Sequence, residues 1–162
     1  MMLGLSLSTF TTVHIIISLI AIATGFVVLA GMLSGKSQAG WVGLFLSTSV
    51  LTSVTGFMFP FTEFLPSHGV GVIALVILAV SLLAFYAFHL AGAWRSIFVV
   101  SALISLYLNV FVLVAQGFLK VPALNALAPQ GSEPPFLIAQ IVVLAIFVGL
   151  IVLAVKRFRL AI

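Results

Sequence analysis

The feature that most constrains this chain is a series of apolar stretches, each close to the length that a helix needs to cross a bilayer. Five such stretches run over residues 12–34, 42–61, 70–92, 96–119 and 135–158, and one crossing takes about 20 residues. Only 5% of the residues are charged, whereas a soluble domain carries about 25% and needs them on its surface. We therefore predict an all-α integral membrane bundle of five transmembrane helices, in which residues 1–162 form a single domain.

The distribution of basic residues indicates the orientation of these helices, because loops rich in Lys and Arg stay in the cytoplasm. If the N-terminus lies outside, the inner loops and the C-terminal tail hold five of the six bases: Lys36, Arg95, Lys156, Arg157 and Arg159. The outer loops then hold Lys120 with both carboxylates, Glu63 and Glu133. We therefore predict that the N-terminus is outside and the C-terminus is cytoplasmic.

The last outer loop carries helix signals of its own. Its segment PALNALA, residues 122–128, predicts a short helix lying on the membrane surface. Ser132, Glu133 and the prolines after them predict the start of the last span. A serine caps a helix, a carboxylate suits its positive end, and proline is tolerated in the first turn.

Polar residues inside the spans are the candidates for a functional site, because each one needs a partner or a cavity in lipid. Ser101, Ser105, Asn109 and Gln116 follow steps of four, four and seven, which place them on one helix face. With Thr55 of the second span, they predict a polar pocket or pore lining that opens outward. The alternative is that these side chains only bond neighbouring helices, at about 1 kcal/mol each or less.

Histidines and carboxylates near the outer side form a candidate metal site. His14, His68 and Glu63 offer imidazole and carboxylate ligands that suit zinc or copper(II), without a recognisable ligand spacing. The alternative is that the histidines only form hydrogen bonds at the membrane interface.

A quinone or haem between His14, Gln116 and Gln140 is a further candidate for the outer half. His14 and His89 lie at opposite ends of their spans, about 20 Å apart, so they do not form the two axial ligands of one haem. We predict no cofactor, and we keep haem, quinone and metal binding at the outer side as alternatives.

Catalysis and nucleic-acid binding have little support in the residues. The chain has no Cys and only two acidic residues, and none of its serines lies in a GxSxG context, so we predict that it is not an enzyme. The net charge of +4 comes from scattered bases, whereas nucleic-acid binding needs them clustered. The expected surroundings are a lipid bilayer.

Four phrases of the sequence are distinctive: SVTGFMFPF at 53–61, FHLAGAWR at 88–95, NVFVLVAQGFLKVPALNALAP at 109–129 and SEPPF at 132–136. They resemble a family of small multi-pass inner-membrane proteins of proteobacteria that has no assigned activity. The resemblance implies a location in the bacterial inner membrane and brings no site residues.

Three functions follow as hypotheses. The first is helix–helix assembly, as a homo-oligomer or as an accessory subunit of a membrane complex, through small residues such as Gly25 and Gly31. The second is a small oligomeric channel for an ion or small solute, lined by the Ser101–Gln116 stripe. The third is a redox accessory protein that binds a quinone, haem or metal.

Overall fold

A computed structural model describes residues 3–36 and 38–159, which contain helices and no β-strand. The helices are α1 (Leu7–Leu33), α2 (Ala39–Phe57), α3 (Pro66–Leu82), α4 (Trp94–Lys120), α5 (Pro122–Asn125) and α6 (Pro134–Arg157). A π-helical turn, Leu83–Ala87, continues α3. Five segments are long and apolar enough to cross a membrane: α1, α2, α3 with its π turn, α4 and α6. The predicted all-α architecture and the number of spans are therefore confirmed.

The ends of α1 show why its bounds differ from the predicted 12–34. The Ser6 hydroxyl accepts a hydrogen bond from the Thr9 N–H at 3.2 Å and so caps the helix. Two further threonines in the first turns donate to carbonyls four residues back, which satisfies their hydroxyls inside the helix. At the other end, Gly35 has a φ of +69°, a left-handed conformation that suits glycine and stops the helix.

Helix α4 lies at the centre of the bundle and packs against α1, α2, α3 and α6. Its buried face contributes Phe98, Val99, Leu103 and Leu106 to the core, each at most 1% exposed. Within the described residues α6 packs only against α4 and α1, so it forms one side of the bundle. Association among apolar helices in lipid depends on such close packing, because lipid gives the helices no hydrophobic drive to associate.

The two ends of the bundle differ in charge. At one end the turn after α1 meets the end of α6, where a Cβ on Gly35 would lie 3.4 Å from the Arg157 carbonyl oxygen. We call this the basic end, and it holds Lys36, Arg95, Lys156, Arg157 and Arg159. The opposite, acidic end holds Glu63, Glu133 and Lys120. Which end faces the cytoplasm stays a prediction.

The small residues that the sequence analysis offered as association surfaces are internal contacts. A Cβ on Gly25 would lie 2.5 Å from Leu106 Cδ1 and 2.9 Å from Phe45 Cε2. A Cβ on Gly31 would lie 3.2 Å from the Lys36 carbonyl oxygen. Both glycines are buried. Their interpretation as surfaces for a partner is therefore corrected, because side chains of α2 and α4 cover Gly25 and the turn after α1 covers Gly31.

The loop before α6 differs in detail from the predicted cap. The short helix α5 confirms helical structure in the PALNALA segment, but Glu133 is the N-cap residue of α6 and its side chain makes no capping bond. Its two carboxylate oxygens instead accept from the N–H groups of Gln130 and Ser132, each at 3.0 Å. The predicted Ser132 cap is therefore wrong, because the serine belongs to the loop that Glu133 closes.

These loop hydrogen bonds give a pH-dependent prediction. The Gln130 N–H, and after it the Ser132 N–H, stabilise the ionised carboxylate and lower the pKa of Glu133 below its ordinary value. The loop is then fully stabilised above the unfolded pKa and loses that stabilisation as the pH falls through the folded pKa. We expect amide-exchange protection at Gln130 and Ser132 to fall below about pH 4 in detergent micelles.

The exchange experiment has a matched pair of variants. Glu133→Gln should remove the acid dependence, because the amide does not titrate in this range. Glu63→Gln, at the other carboxylate of the same end, should leave it intact. Acid dependence that persists in Glu133→Gln would show that another group closes the loop.

Candidate functional site

The polar stripe of α4 begins in a buried hydrogen-bond chain. The Ser81 hydroxyl of α3 donates to the Ser101 hydroxyl at 2.7 Å, and the Ser105 hydroxyl donates to the Ser101 carbonyl oxygen at 3.0 Å. The three serines are buried, with Ser81 fully enclosed. This part of the stripe therefore fastens α3 to α4.

The rest of the stripe loses cover toward the acidic end. Asn109 is half-buried, and its Nδ2 donates to the Ser49 hydroxyl of α2 at 3.1 Å. Gln116 lies on the same helix face two turns after Asn109, and it is exposed on the outside of the bundle. The structure thus does not bring all members of the predicted pocket together. Periodicity determines which side of α4 these side chains lie on, whereas the positions of the neighbouring helices determine whether they are buried.

The bond between Asn109 and Ser49 predicts a measurable stability effect. Asn109→Leu should lower the free energy of unfolding by about 1 kcal/mol, the usual scale for a polar contact between membrane helices. A double-mutant cycle with Ser49→Ala, measured by denaturant titration in micelles, should recover most of that energy as coupling. Gln116→Leu is the control and should change little, because Gln116 is exposed. A coupling energy near zero would show that the bond is not formed.

His14 and Thr55 join α1 to α2 near the acidic end. His14 Nδ1 lies 2.7 Å from the Thr55 hydroxyl, and that hydroxyl donates to the Leu51 carbonyl oxygen at 2.6 Å. Because the hydroxyl proton is already used, we assign the proton between the two side chains to His14 Nδ1. The Phe59 ring stands edge-on to the imidazole, with centroids 5.1 Å apart. Thr55 is therefore a partner of His14 and does not belong to the α4 stripe.

His68 closes the first turn of α3. Its Nδ1 accepts from the Leu65 N–H at 2.9 Å, while the Leu65 carbonyl accepts from the His68 N–H. The rings of Phe57, Phe61 and Phe64 surround the imidazole, and Phe61 is the nearest at 4.2 Å between centroids. This structural role escaped the sequence analysis. The available signal was a histidine three residues after the N-cap position, where a side chain reaches back.

The structure does not bring the three candidate metal ligands into one group. Among residues 3–36 and 38–159, no group of three His, Cys, Asp or Glu side chains could hold a metal ion. His14 bonds across to α2, His68 bonds to its own helix start, and Glu63 is exposed. The three candidate ligands share one end of the bundle, but each has a separate place in the packing.

The candidate cofactor residues also lie in different places. Gln140 of α6 is buried, and its Nε2 donates to the Phe111 carbonyl oxygen of α4 at 3.1 Å. Its Oε1 is buried without a hydrogen-bond partner in the described part of the chain. His14 belongs to the contact of α1 with α2, and Gln116 is exposed. No hydrogen bond among the described residues joins any two of the three.

Two cavities show where space is left. A small one at the basic end, of about 10 Å³, is lined by Val28, Met32, Lys36, Gln38, Val42, Phe98 and Phe158. It has about the volume of one water, and the buried Gln38 Oε1 has no partner within residues 3–36 and 38–159. The other is an open groove of about 380 Å³ between α3 and α4. Neither lies at the acidic end, where the sequence predicted a pocket.

Four polar contacts inside the spans therefore share one property, which is that each bonds one helix to another. Ser81 with Ser101, Asn109 with Ser49, His14 with Thr55, and Gln140 with Phe111 each cross a helix interface. Comparison of the chain with protein-family models, curated proteins and solved structures found no match.

Proposed function

We propose that this is a non-enzymatic multi-pass protein of the bacterial inner membrane that acts by lateral association of its helices. It would assemble with copies of itself or serve as an accessory subunit of a membrane complex. The orientation we propose has the N-terminus outside and the basic end in the cytoplasm, because cytoplasmic loops carry the excess of Lys and Arg. The membrane is inferred from the resemblance of the chain to a proteobacterial family.

The observation that supports association is a pair of small residues on the outer face of α6. Ala145 and Gly149 lie four residues apart and are both exposed, and a Cβ on Gly149 would meet no atom within 4 Å. Of the most apolar 18-residue segment of α6, only 11% is buried in the bundle. Small residues at this spacing let two membrane helices approach closely, so α6 offers an unused packing surface.

The side chains around this pair give it a shape suited to another helix. Ile141, Val142, Val148 and Val152 share the exposed face and are larger. From these sizes we infer a shallow depression whose floor is Ala145 and Gly149. A second helix packs ridges into such a depression, and packing is the main attraction between helices in lipid.

The alternatives receive less support from the same structure. A channel needs a continuous hydrated line, but Ser101, Ser105 and Asn109 are held between helices. A redox site needs its ligands together, and the candidate residues lie at separate interfaces. No specific observation favours either function over association.

The test is the oligomeric state in lipid. The protein, labelled at one introduced cysteine in the C-terminal tail, is reconstituted in liposomes at decreasing protein-to-lipid ratio, and photobleaching steps are counted. We expect dimers or larger assemblies for the natural chain. Gly149→Leu should shift the distribution toward monomers, because a large side chain fills the depression. Ala23→Leu, at an exposed small residue of α1, is the matched control and should not.

Two results would contradict association through this face. The first is a chain that stays monomeric at every protein-to-lipid ratio and brings down no membrane protein on mild extraction. The second is a Gly149→Leu variant that associates as the natural chain does. Capture of a defined membrane protein that Gly149→Leu loses and Ala23→Leu keeps would instead support the accessory-subunit form.

A further inference from the structure

An open groove between α3 and α4 has no role in the contacts described so far. It has a volume of about 380 Å³ and is lined by Ile77, Val80, Ser96, Ile97, Val100, Ser101 and Ile104. Ile97 and Val100 are each 36% exposed, so the groove opens on the lateral surface of the bundle. Its lining is almost wholly aliphatic.

The hydrogen bond between Ser81 and Ser101 explains why a groove forms here. Two small residues meet at 2.7 Å between hydroxyl oxygens, which draws α3 and α4 together on the inner side of the contact. The larger side chains of Val80, Ile97 and Val100 line the groove outside this contact. From Ser96 to Ile104 the groove follows α4 for about 12 Å, the rise of eight residues.

The groove begins at the basic end. Its lowest lining residue, Ser96, directly follows Arg95, which is half-buried. Lys36, Lys156, Arg157 and Arg159 belong to the same end. Both carboxylates of the chain, Glu63 and Glu133, lie at the acidic end, so no side-chain carboxylate pairs with Arg95. A long apolar groove that starts beside a cation without a carboxylate partner is complementary to an anionic lipid, which has an apolar tail and a negative headgroup.

We propose that this groove binds one anionic glycerophospholipid. One acyl chain lies along the α3–α4 groove, and the phosphate lies against Arg95, in the leaflet at the basic end. Aliphatic walls favour a lipid tail over any polar ligand, and the cation favours an anionic over a zwitterionic headgroup. This site lies on α3 and α4, so it does not depend on association through α6.

The test uses a tryptophan that the chain already places beside Arg95. Trp94 and Trp41 are the two tryptophans, and Trp41→Phe leaves Trp94 as the single reporter. Trp94 stacks on Phe88 with centroids 3.9 Å apart, and it lies two residues before Ser96, where the groove begins on α4. The protein is reconstituted in phosphatidylcholine vesicles to which one brominated lipid is added. This lipid is either phosphatidylglycerol or phosphatidylcholine with brominated acyl chains, and the quenching of Trp94 fluorescence is measured.

We expect the relative association constant from quenching to be about fivefold higher for brominated phosphatidylglycerol than for brominated phosphatidylcholine, the effect of one base near the headgroups. Arg95→Gln should reduce the ratio to about one. Val100→Phe, which fills the groove, should reduce it as well. Lys156→Gln removes a charge elsewhere at the same end and should leave the ratio unchanged.

Three results would overturn the site. Equal quenching by the two lipids in the Trp41→Phe protein would show that the groove holds only bulk lipid. An equal loss of preference in Lys156→Gln and Arg95→Gln would show a diffuse field of the basic end. A preference that disappears as the protein-to-lipid ratio rises would show that a second copy occupies the groove. The first two results do not bear on the dimer measurement of the α6 face, and the third is told apart from it because Gly149→Leu would not change occupancy of the groove.

Discussion

Replacing Gly25 by alanine is expected to destabilise the bundle by about 2 kcal/mol, and replacing it by leucine by about 3 kcal/mol or more. The reason is space: the added Cβ would lie 2.5 Å from Leu106 Cδ1 and 2.9 Å from the Phe45 ring. Leu106 is fully buried and Phe45 is 1% exposed, so neither side chain has room to withdraw. The measurement is the free energy of unfolding from titration with a denaturing detergent.

The control and the rescue isolate the steric cause. Gly149→Ala adds the same methyl group to α6 with no atom within 4 Å, and it should leave stability unchanged or slightly higher. Gly25→Ala combined with Leu106→Ala should cost less than the sum of the two single changes, because the second change opens the space that the new methyl needs. Equal stability of Gly25→Ala and Gly149→Ala would contradict the close contact of α1, α2 and α4.

Phe45→Ala should lower the free energy of unfolding by about 3 kcal/mol or more, the range for removing a buried aromatic ring. The ring lies where α2 meets α1 and α4, and lipid tails do not reach a space that helices close on every side. Loss of packing contacts therefore accounts for the cost, even though a bilayer provides little hydrophobic drive. Thermal unfolding in detergent, followed by circular dichroism, checks the ranking.

A neighbouring residue on the same helix provides the comparison. Leu44 is 43% exposed on the outside of α2, so Leu44→Ala should cost little. Phe45→Leu keeps part of the volume and should fall between the two. If Leu44→Ala and Phe45→Ala destabilised the protein equally, the assignment of Phe45 to the core would be wrong.

Most of the fold follows from hydropathy and length, because a lipid environment allows few alternatives to closed helices. The predicted first span begins at residue 12, five residues after the observed start of α1, because the threonines in this stretch are polar. Thr11 and Thr12 donate to the carbonyls of Leu7 and Ser8, so the helix continues through residues that carry no hydropathy signal. Conversely, the third span ends at Ala87 and not at 92, in a π turn where Phe88 N–H bonds to the Leu83 carbonyl. Hydropathy alone does not show that the helix ends at this π turn, because the residues from 88 to 92 are mostly apolar as well.

The partners of the polar side chains were beyond sequence reasoning for a different reason. Periodicity placed Ser101, Ser105 and Asn109 on one helix face. In the structure Ser101 and Asn109 bond to other helices, and Ser105 is buried and bonds within α4. Which helix faces them depends on the crossing of α2, α3 and α4, which one sequence does not encode locally. The same limit applies to Gly25. A small residue on a helix predicts close approach, and only the fold shows that the approaching helices belong to the same chain.

The central claim is that the polar groups inside the bundle hold helices together and that no water-filled path runs past them. Because the chain has no cysteine, single cysteines can be introduced at Ser105 and at Glu63 and tested in vesicles with a water-soluble thiol reagent from both sides. We predict rapid labelling of Glu63→Cys, which is exposed, and no labelling of Ser105→Cys from either side. Rapid labelling of Ser105→Cys in a folded protein would show that water reaches the polar stripe of α4, and it would support the channel hypothesis.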